Sequence, residues 1–219
     1  MATRASVAKS PPVPTRTPVA KPAPVAGRTP AAEIVPIAVL GPPPTLPAQA
    51  ALTEALQAVD LGKALAGAFL TGERINQLLL DMVDPRVWRV FPMSSSRRNV
   101  AMSFAHIHNV RCSRIQACDK TAVAVMPLDR AIVSQDEVRW SLGGSARAMV
   151  ALIERSVSRG GHVHGFGADI VVMVCAAIAH EAHHRGQIGH WLRELGTPLT
   201  PEQQLTLWEW DKRWKEIRR

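Results

Sequence analysis

Tyrosine is absent from the sequence and phenylalanine occurs only four times. Strands draw on aromatic and β-branched residues, so a chain poor in rings and rich in Ala, Leu, Arg, Met and Glu is expected to be helical. Cysteine is scarce too. Cys112, Cys118 and Cys175 form no CxxC pair, and three thiols cannot all be bridged among themselves. A disulfide framework is therefore excluded as the organising device, and a reducing cytoplasm is the expected setting. No apolar run approaches the roughly 18 residues of a membrane span; the most apolar stretch, Ile170 to Ile178, is far shorter. A soluble chain with no membrane partner is expected. Acidic residues also fall short, 18 against 26 Lys and Arg, for a net charge of +8. The excess is concentrated at the two ends, in Arg4, Lys9, Arg16, Lys21 and Arg28 against Glu33 alone, and again around Lys212 to Arg219. Such a distribution describes solvated basic segments better than a dedicated nucleic-acid surface.

Proline, by contrast, is abundant and unevenly placed: twelve of the seventeen lie between Met1 and Pro47. Neither helix nor sheet propagates through such spacing, so residues 1–47 are expected to form a disordered, basic, Pro-rich tail, a spacer rather than a docking motif. Ile34 to Leu40 is interrupted by Pro36 and is not read as a secretory signal.

Helical periodicity starts after Pro47, with Leu52, Leu56, Val59, Leu61, Leu65, Phe69, Ile75, Leu79 and Met82 recurring every three or four residues. The firm part is a first helix over 61–83, stopped by Asp84-Pro85. A second helix is expected over 97–118, capped by one of Ser94, Ser95 and Ser96. Ser134-Gln135-Asp136-Glu137 has the form of a capping box and opens a third helix that Arg159-Gly160-Gly161 ends. A fourth runs over 168–195 and closes at Gly196-Thr197-Pro198. A last amphipathic segment, about 201–217, carries Trp208, Trp210 and Trp214 and is expected to pack over one end of the bundle.

Four of the eight histidines lie in Ala179 to Leu195: His180, His183, His184 and His190. At about 100° per residue, His180 and His184 project from one face, a turn apart, in a stripe with Ala176, Ala177, Gln187 and Trp191. Two imidazoles at i and i+4 can bring two nitrogens to one ion, and a third from another helix completes a facial set. The second helix offers His106 and His108, each flanked by apolar residues, and periodicity does not choose between them. His183 and His190 fall off the stripe, as surface or supporting groups. His180-Glu181-Ala182-His183-His184 also spells HExxH, with His190 where a metzincin has its third ligand. That pattern requires glycine at position 187 to turn the chain back, and residue 187 is Gln.

Phe104-Ala105-His106-Ile107-His108-Asn109-Val110-Arg111, then His180-Glu181-Ala182-His183-His184-Arg185-Gly186-Gln187-Ile188, then Leu192-Arg193-Glu194-Leu195-Gly196, resemble the DinB (DinB/YfiT-like) superfamily of metal-binding four-helix bundles. The resemblance spans about 58–219 and makes 48–219 a bundle domain of up-down-down-up topology, often dimeric. It implies a triad of His106, His180 and His184 around a divalent ion, zinc or nickel in first place. It also implies, for some relatives, a thiol-dependent transferase or isomerase reaction between a low-molecular-weight thiol and an electrophilic small molecule. Three functions follow as expectations. The first is a metal-dependent enzyme that activates a thiol or water, with no catalytic base assigned because Glu181 is placed outward on the wheel. The second is a non-catalytic metal-binding bundle linked to stress. The third, weaker, comprises an HExxH metalloprotease or a basic nucleic-acid adaptor.

Overall fold

The computed structural model describes residues 60–122, 125–165 and 169–218. The Pro-rich tail, the boundary at 47/48 and the early periodic positions Leu52, Leu56 and Val59 lie outside the described residues. Those described form six helices and no strand: α1 (Leu61–Met82), α2 (Val100–Cys118), α3 (Gln135–Ser158), α4 (Ile170–Glu194), α5 (Pro201–Trp208) and α6 (Trp210–Ile217). The all-helical expectation holds, and the long helices stand within a few residues of their sequence positions.

Local chemistry fixes the ends. The Asp60 side chain accepts from the Lys63 backbone N–H at the start of α1. Ser134 and Glu137 make the reciprocal capping box that opens α3. The cap of α2 is Asn99, whose side chain accepts from the Met102 N–H, and not one of the three serines. Ser95 instead accepts from the backbone of Arg98, one turn earlier in the approach. α4 is capped by Asp169 and ends at Gly196, whose φ of 76° is a backbone conformation that costs glycine little.

Contacts between helices give each a direction. The end of α1 meets the start of α3, where Gln135 Nε2 donates to Val83 O (3.1 Å), while Gly62 at the start of α1 faces Val157 near the end of α3. These two helices are antiparallel. His108 meets Ser145 at 3.1 Å and Asp119 meets Arg155 at 3.0 Å, so α2 and α3 ascend together. Arg111 meets Glu181 and Arg114 meets Ala176, so α2 and α4 run in opposite senses.

The core has three levels. One apolar cluster joins Leu79, Leu80, Phe104, Val138, Leu142, Ile188 and Leu192; the other joins Phe69, Ile115, Met149, Leu152, Ile153, Met173 and Val174. Each fully buried side chain of this kind stabilises by about 1.5–3 kcal/mol. Between the clusters lies a buried polar level: Glu73 and Asn76 from α1, His108 and Arg111 from α2, Ser145 from α3, Glu181 and His184 from α4.

The C-terminal segment departs from expectation twice. It is two helices, broken at Glu209, and it packs along the flank of α1 rather than over an end of the bundle. Gly67 explains the placement. A Cβ there would lie 2.2 Å from Cζ3 of Trp214, so only glycine lets the indole rest against α1. Arg74 then pairs with Glu216 at 2.9 Å.

Candidate metal centre

α4 is long and uninterrupted, so His180 and His184 keep their one-turn spacing; α2 runs beside it and supplies His106. Their nitrogens converge. His180 Nε2 lies 3.3 Å from His106 Nε2 and 3.1 Å from His184 Nε2. Two ligands each ~2.0–2.1 Å from one ion at a tetrahedral angle are ~3.4 Å apart, and at a right angle ~2.9 Å apart, so these separations fall in the interval a shared ion imposes. The set could hold a metal ion, and His106, His180 and His184 are the one such group among the described residues.

Hydrogen bonding fits the same use. His184 Nδ1–H donates to Gln187 Oε1 at 2.8 Å, which leaves the Nε2 lone pair aimed at the other two rings. Fixing the far nitrogen in this way selects the ligating tautomer and orients the ring. Gln187, the residue that spoils the metzincin pattern, is therefore part of the site. His180 Nδ1 is buried and has no partner. An orphaned buried nitrogen costs about 1–3 kcal/mol, so nothing in the packing of the ring itself accounts for His180.

Burial, and for His106 the adjacent charge of Arg98, hold the His106 imidazole down at about 4. Burial and the neighbouring His184 bring His180 to about 4, and burial lowers His184 as well, against the Gln187 hydrogen bond. At neutral pH all three rings are neutral, the state in which imidazole binds a metal.

His108 is turned elsewhere. Its Nδ1 meets Ser145 Oγ at 3.1 Å and its Nε2 lies 3.0 Å from Met126 O, tying α2 to α3 and to the connection between them. His183 is exposed beside His184, and His190 pairs with Glu194 at 2.9 Å on the surface; neither enters the triad.

Glu181 corrects the helical wheel. It is buried, only 2% exposed, and faces inward. Its carboxylate accepts from Arg111 Nε and Nη2 and from Asn76 Nδ2, all at 2.7 Å. Burial would raise its pKa, but the charge and hydrogen bonds of Arg111 hold it below the usual range; Arg111 in turn is raised by Glu181 and Glu73 over the opposing effect of burial. The wheel misplaced Glu181 because α4 packs against both α1 and α2, and its buried arc is wider than one stripe. Arg111 was the available signal: it sits four residues from both Ile107 and Ile115, a basic group on an apolar face.

With its lone pairs given to Arg111 and Asn76, Glu181 is not the base of an HExxH peptidase. α4 also continues straight through position 187, so His190 is carried away from the ion site. Both elements of the peptidase reading fail on geometry.

Gln187, the partner of His184, lines an open cleft of about 850 Å³ together with Arg97, Arg98, His183 and Trp191. No helix among the described residues is long and apolar enough to cross a membrane.

The curated proteins and the solved structures give no significant match. The model of the DinB family matches residues 171–216, nearly all of α4, α5 and most of α6. The segment that carries two of the three converging imidazoles is thus similar to DinB-family sequence, which is consistent with the DinB-like resemblance of the chain.

Proposed function

We propose that the chain binds one divalent ion, zinc or nickel in first place, through His106, His180 and His184, and that it is a metal-dependent enzyme of the thiol-transferase kind. The observation that carries the first part is the meeting of His106 and His184 Nε2 with His180 Nε2, at 3.3 and 3.1 Å, beside an orphaned His180 Nδ1. A divalent ion held by three neutral ligands keeps its positive charge and lowers the pKa of a thiol or water in a remaining position. The chain's own residues do the rest. Gln187 holds His184 in one tautomer, the Arg111–Glu181 pair anchors the α4 turn that bears His180, and the cleft beside Gln187 admits a small molecule. The partners are a low-molecular-weight thiol and an electrophilic small molecule, in the cytoplasm. The open cleft favours this over a non-catalytic bundle, for which a closed site would serve.

Elemental analysis of protein purified without chelator is expected to find about one divalent ion per chain, and none in His106→Ala or His180→Ala. The cobalt-loaded protein is expected to change its visible spectrum when a thiol is added. Absence of metal after supplementation overturns the binding reading; a cobalt spectrum indifferent to every thiol overturns the transferase reading and leaves the non-catalytic bundle.

A further inference from the structure

The wall of the cleft beside Gln187 carries two arginines that pair with no carboxylate among the described residues. Arg97 and Arg98 stand at the approach to α2 and line the cleft with Gln187, the residue that holds His184. Arg130 comes from the connection between α2 and α3. Arg98 and Arg130 are close enough for each to bear on His106, and Arg98 bears also on His184. Elsewhere Arg74, Arg86, Arg111, Arg139, Arg155 and Arg213 each find a carboxylate, while the exposed Arg147, Arg159 and Arg193 do without one in solvent. Among the described residues, Arg97, Arg98 and Arg130 find none, and Arg130 Nε is buried without a partner. Burial and the repulsion of Arg130 lower the pKa of Arg98, so the pair is unfavourable as it stands. The guanidiniums of Arg97 and Arg98 line one cleft, the carboxylate beside it, Glu194, is taken up by Ser94 and His190, and an ion in the triad would add to the positive charge, which favours an anionic occupant.

We infer that Arg98, with Arg130 behind it, is a recognition site for a carboxylate on the small molecule that reaches the triad. This rests on the metal-enzyme reading for its use, but the site itself is built from arginines and binds anions with or without the ion. A guanidinium takes a carboxylate through two parallel N–H donors, so it fixes orientation as well as charge. The carboxylate can belong to the thiol or to its electrophilic partner.

The test uses the full chain and defined probes. Succinate and its neutral isostere succinamide are titrated by calorimetry into metal-free and zinc-loaded protein. Succinate is expected to bind at least about 10-fold more tightly than succinamide, as a charged hydrogen bond of this kind supplies. The preference is expected to grow with zinc and to weaken with salt. Arg98→Gln is expected to abolish it while leaving metal content and the helical spectrum intact. Comparing 3-mercaptopropionate with 2-mercaptoethanol in the cobalt form separates the two sources: a preference for the acidic thiol that Arg98→Gln removes places the carboxylate on the thiol, whereas succinate binding without it places the carboxylate on the electrophile. Equal binding of succinate and succinamide to the native protein, or a preference that survives Arg98→Gln, overturns the site. A protein that binds no metal yet keeps the Arg98-dependent preference sinks the metal reading and spares this one.

Discussion

Two polar clusters lie within a turn of each other at mid-bundle, and they are built on opposite terms. In the Arg111 cluster every group is paired: the guanidinium reaches Glu73, Glu181 and the Leu142 carbonyl, and Asn76 bridges Glu181 to Arg185. In the histidine cluster three nitrogens face one another with no acid between them, and His180 Nδ1 is left over. A saturated network locks the four helices in register and has nothing to spare for chemistry. The unsaturated one is a set of nitrogens that could hold a metal ion. Adjacent residues, His180 and Glu181, thus serve different ends because they leave α4 about 100° apart.

Breaking the saturated cluster should produce the largest effect. Arg111→Met leaves Glu73 and Glu181 buried without the guanidinium they bond, with only Arg185 nearby, and removal of one side of a buried pair costs about 3–5 kcal/mol. Urea unfolding should show that loss, and most of it should return in Arg111→Met, Glu73→Gln, Glu181→Gln, where no charge is stranded. Failure of the triple variant to recover would mean that the cluster acts through packing instead.

The open cluster should behave in reverse. His180→Ala removes an orphaned buried nitrogen, so the metal-free protein should lose little stability, while the gain on adding metal should vanish. That gain is about 2.7 kcal/mol at a metal concentration 100 times the dissociation constant. Gln187→Leu is the milder version. It frees His184 to adopt the wrong tautomer and should weaken metal binding about 10–100-fold without emptying the site, as read by competition with a chelator.

Acid separates the clusters by pH range. The triad imidazoles are lowered in the fold, so between an unfolded value near 6.5 and about 4 the unfolded chain binds more protons than the native one. Their contribution to metal-free stability is complete above that range and is lost as the pH falls through it. Glu181 is also lowered in the fold, and its contribution is lost only below its ordinary value of 4.5. Unfolding followed from pH 7 to 5 should therefore slope with the triad and with His108, which burial also lowers, and His106→Ala, His180→Ala should make that slope shallower. Metal should remain bound at pH 5.5, where ordinary histidines have begun to let go.

Much of this was legible without coordinates, for identifiable reasons. The capping box at Ser134 and the Asp84-Pro85 stop are local chemistry, and local chemistry is written in consecutive residues. The pairing of His180 with His184 needs only the helical repeat. The third imidazole was not legible from periodicity, because His106 and His108 both have apolar neighbours a turn away; what separates them is tertiary, namely Ser145 and Met126 O waiting for His108. Glu181 escaped because a wheel centred on His180 assumes one partner helix, and α4 packs against α1, α2 and α3. The break at Glu209 and the seat of Trp214 on Gly67 depend on α1, some 140 residues away in sequence, and no window of the sequence contains both.

His190 supplies the smallest effect and a useful control. It sits half-exposed, paired with Glu194 one turn on, and exposed pairs of this kind contribute about 0–1 kcal/mol. The literal HExxH pattern would make it the third ligand, whereas the convergence of Nε2 atoms gives that place to His106. His190→Ala should consequently leave metal stoichiometry and the pH slope unchanged, and His106→Ala should empty the site and lessen the slope. If His190→Ala emptied the site, α4 would have to bend at Gln187 in solution, and the separation of the paired cluster from the open one would fail with it, since a bend there would withdraw the hydrogen bond from His184 and shift His180 away from α2.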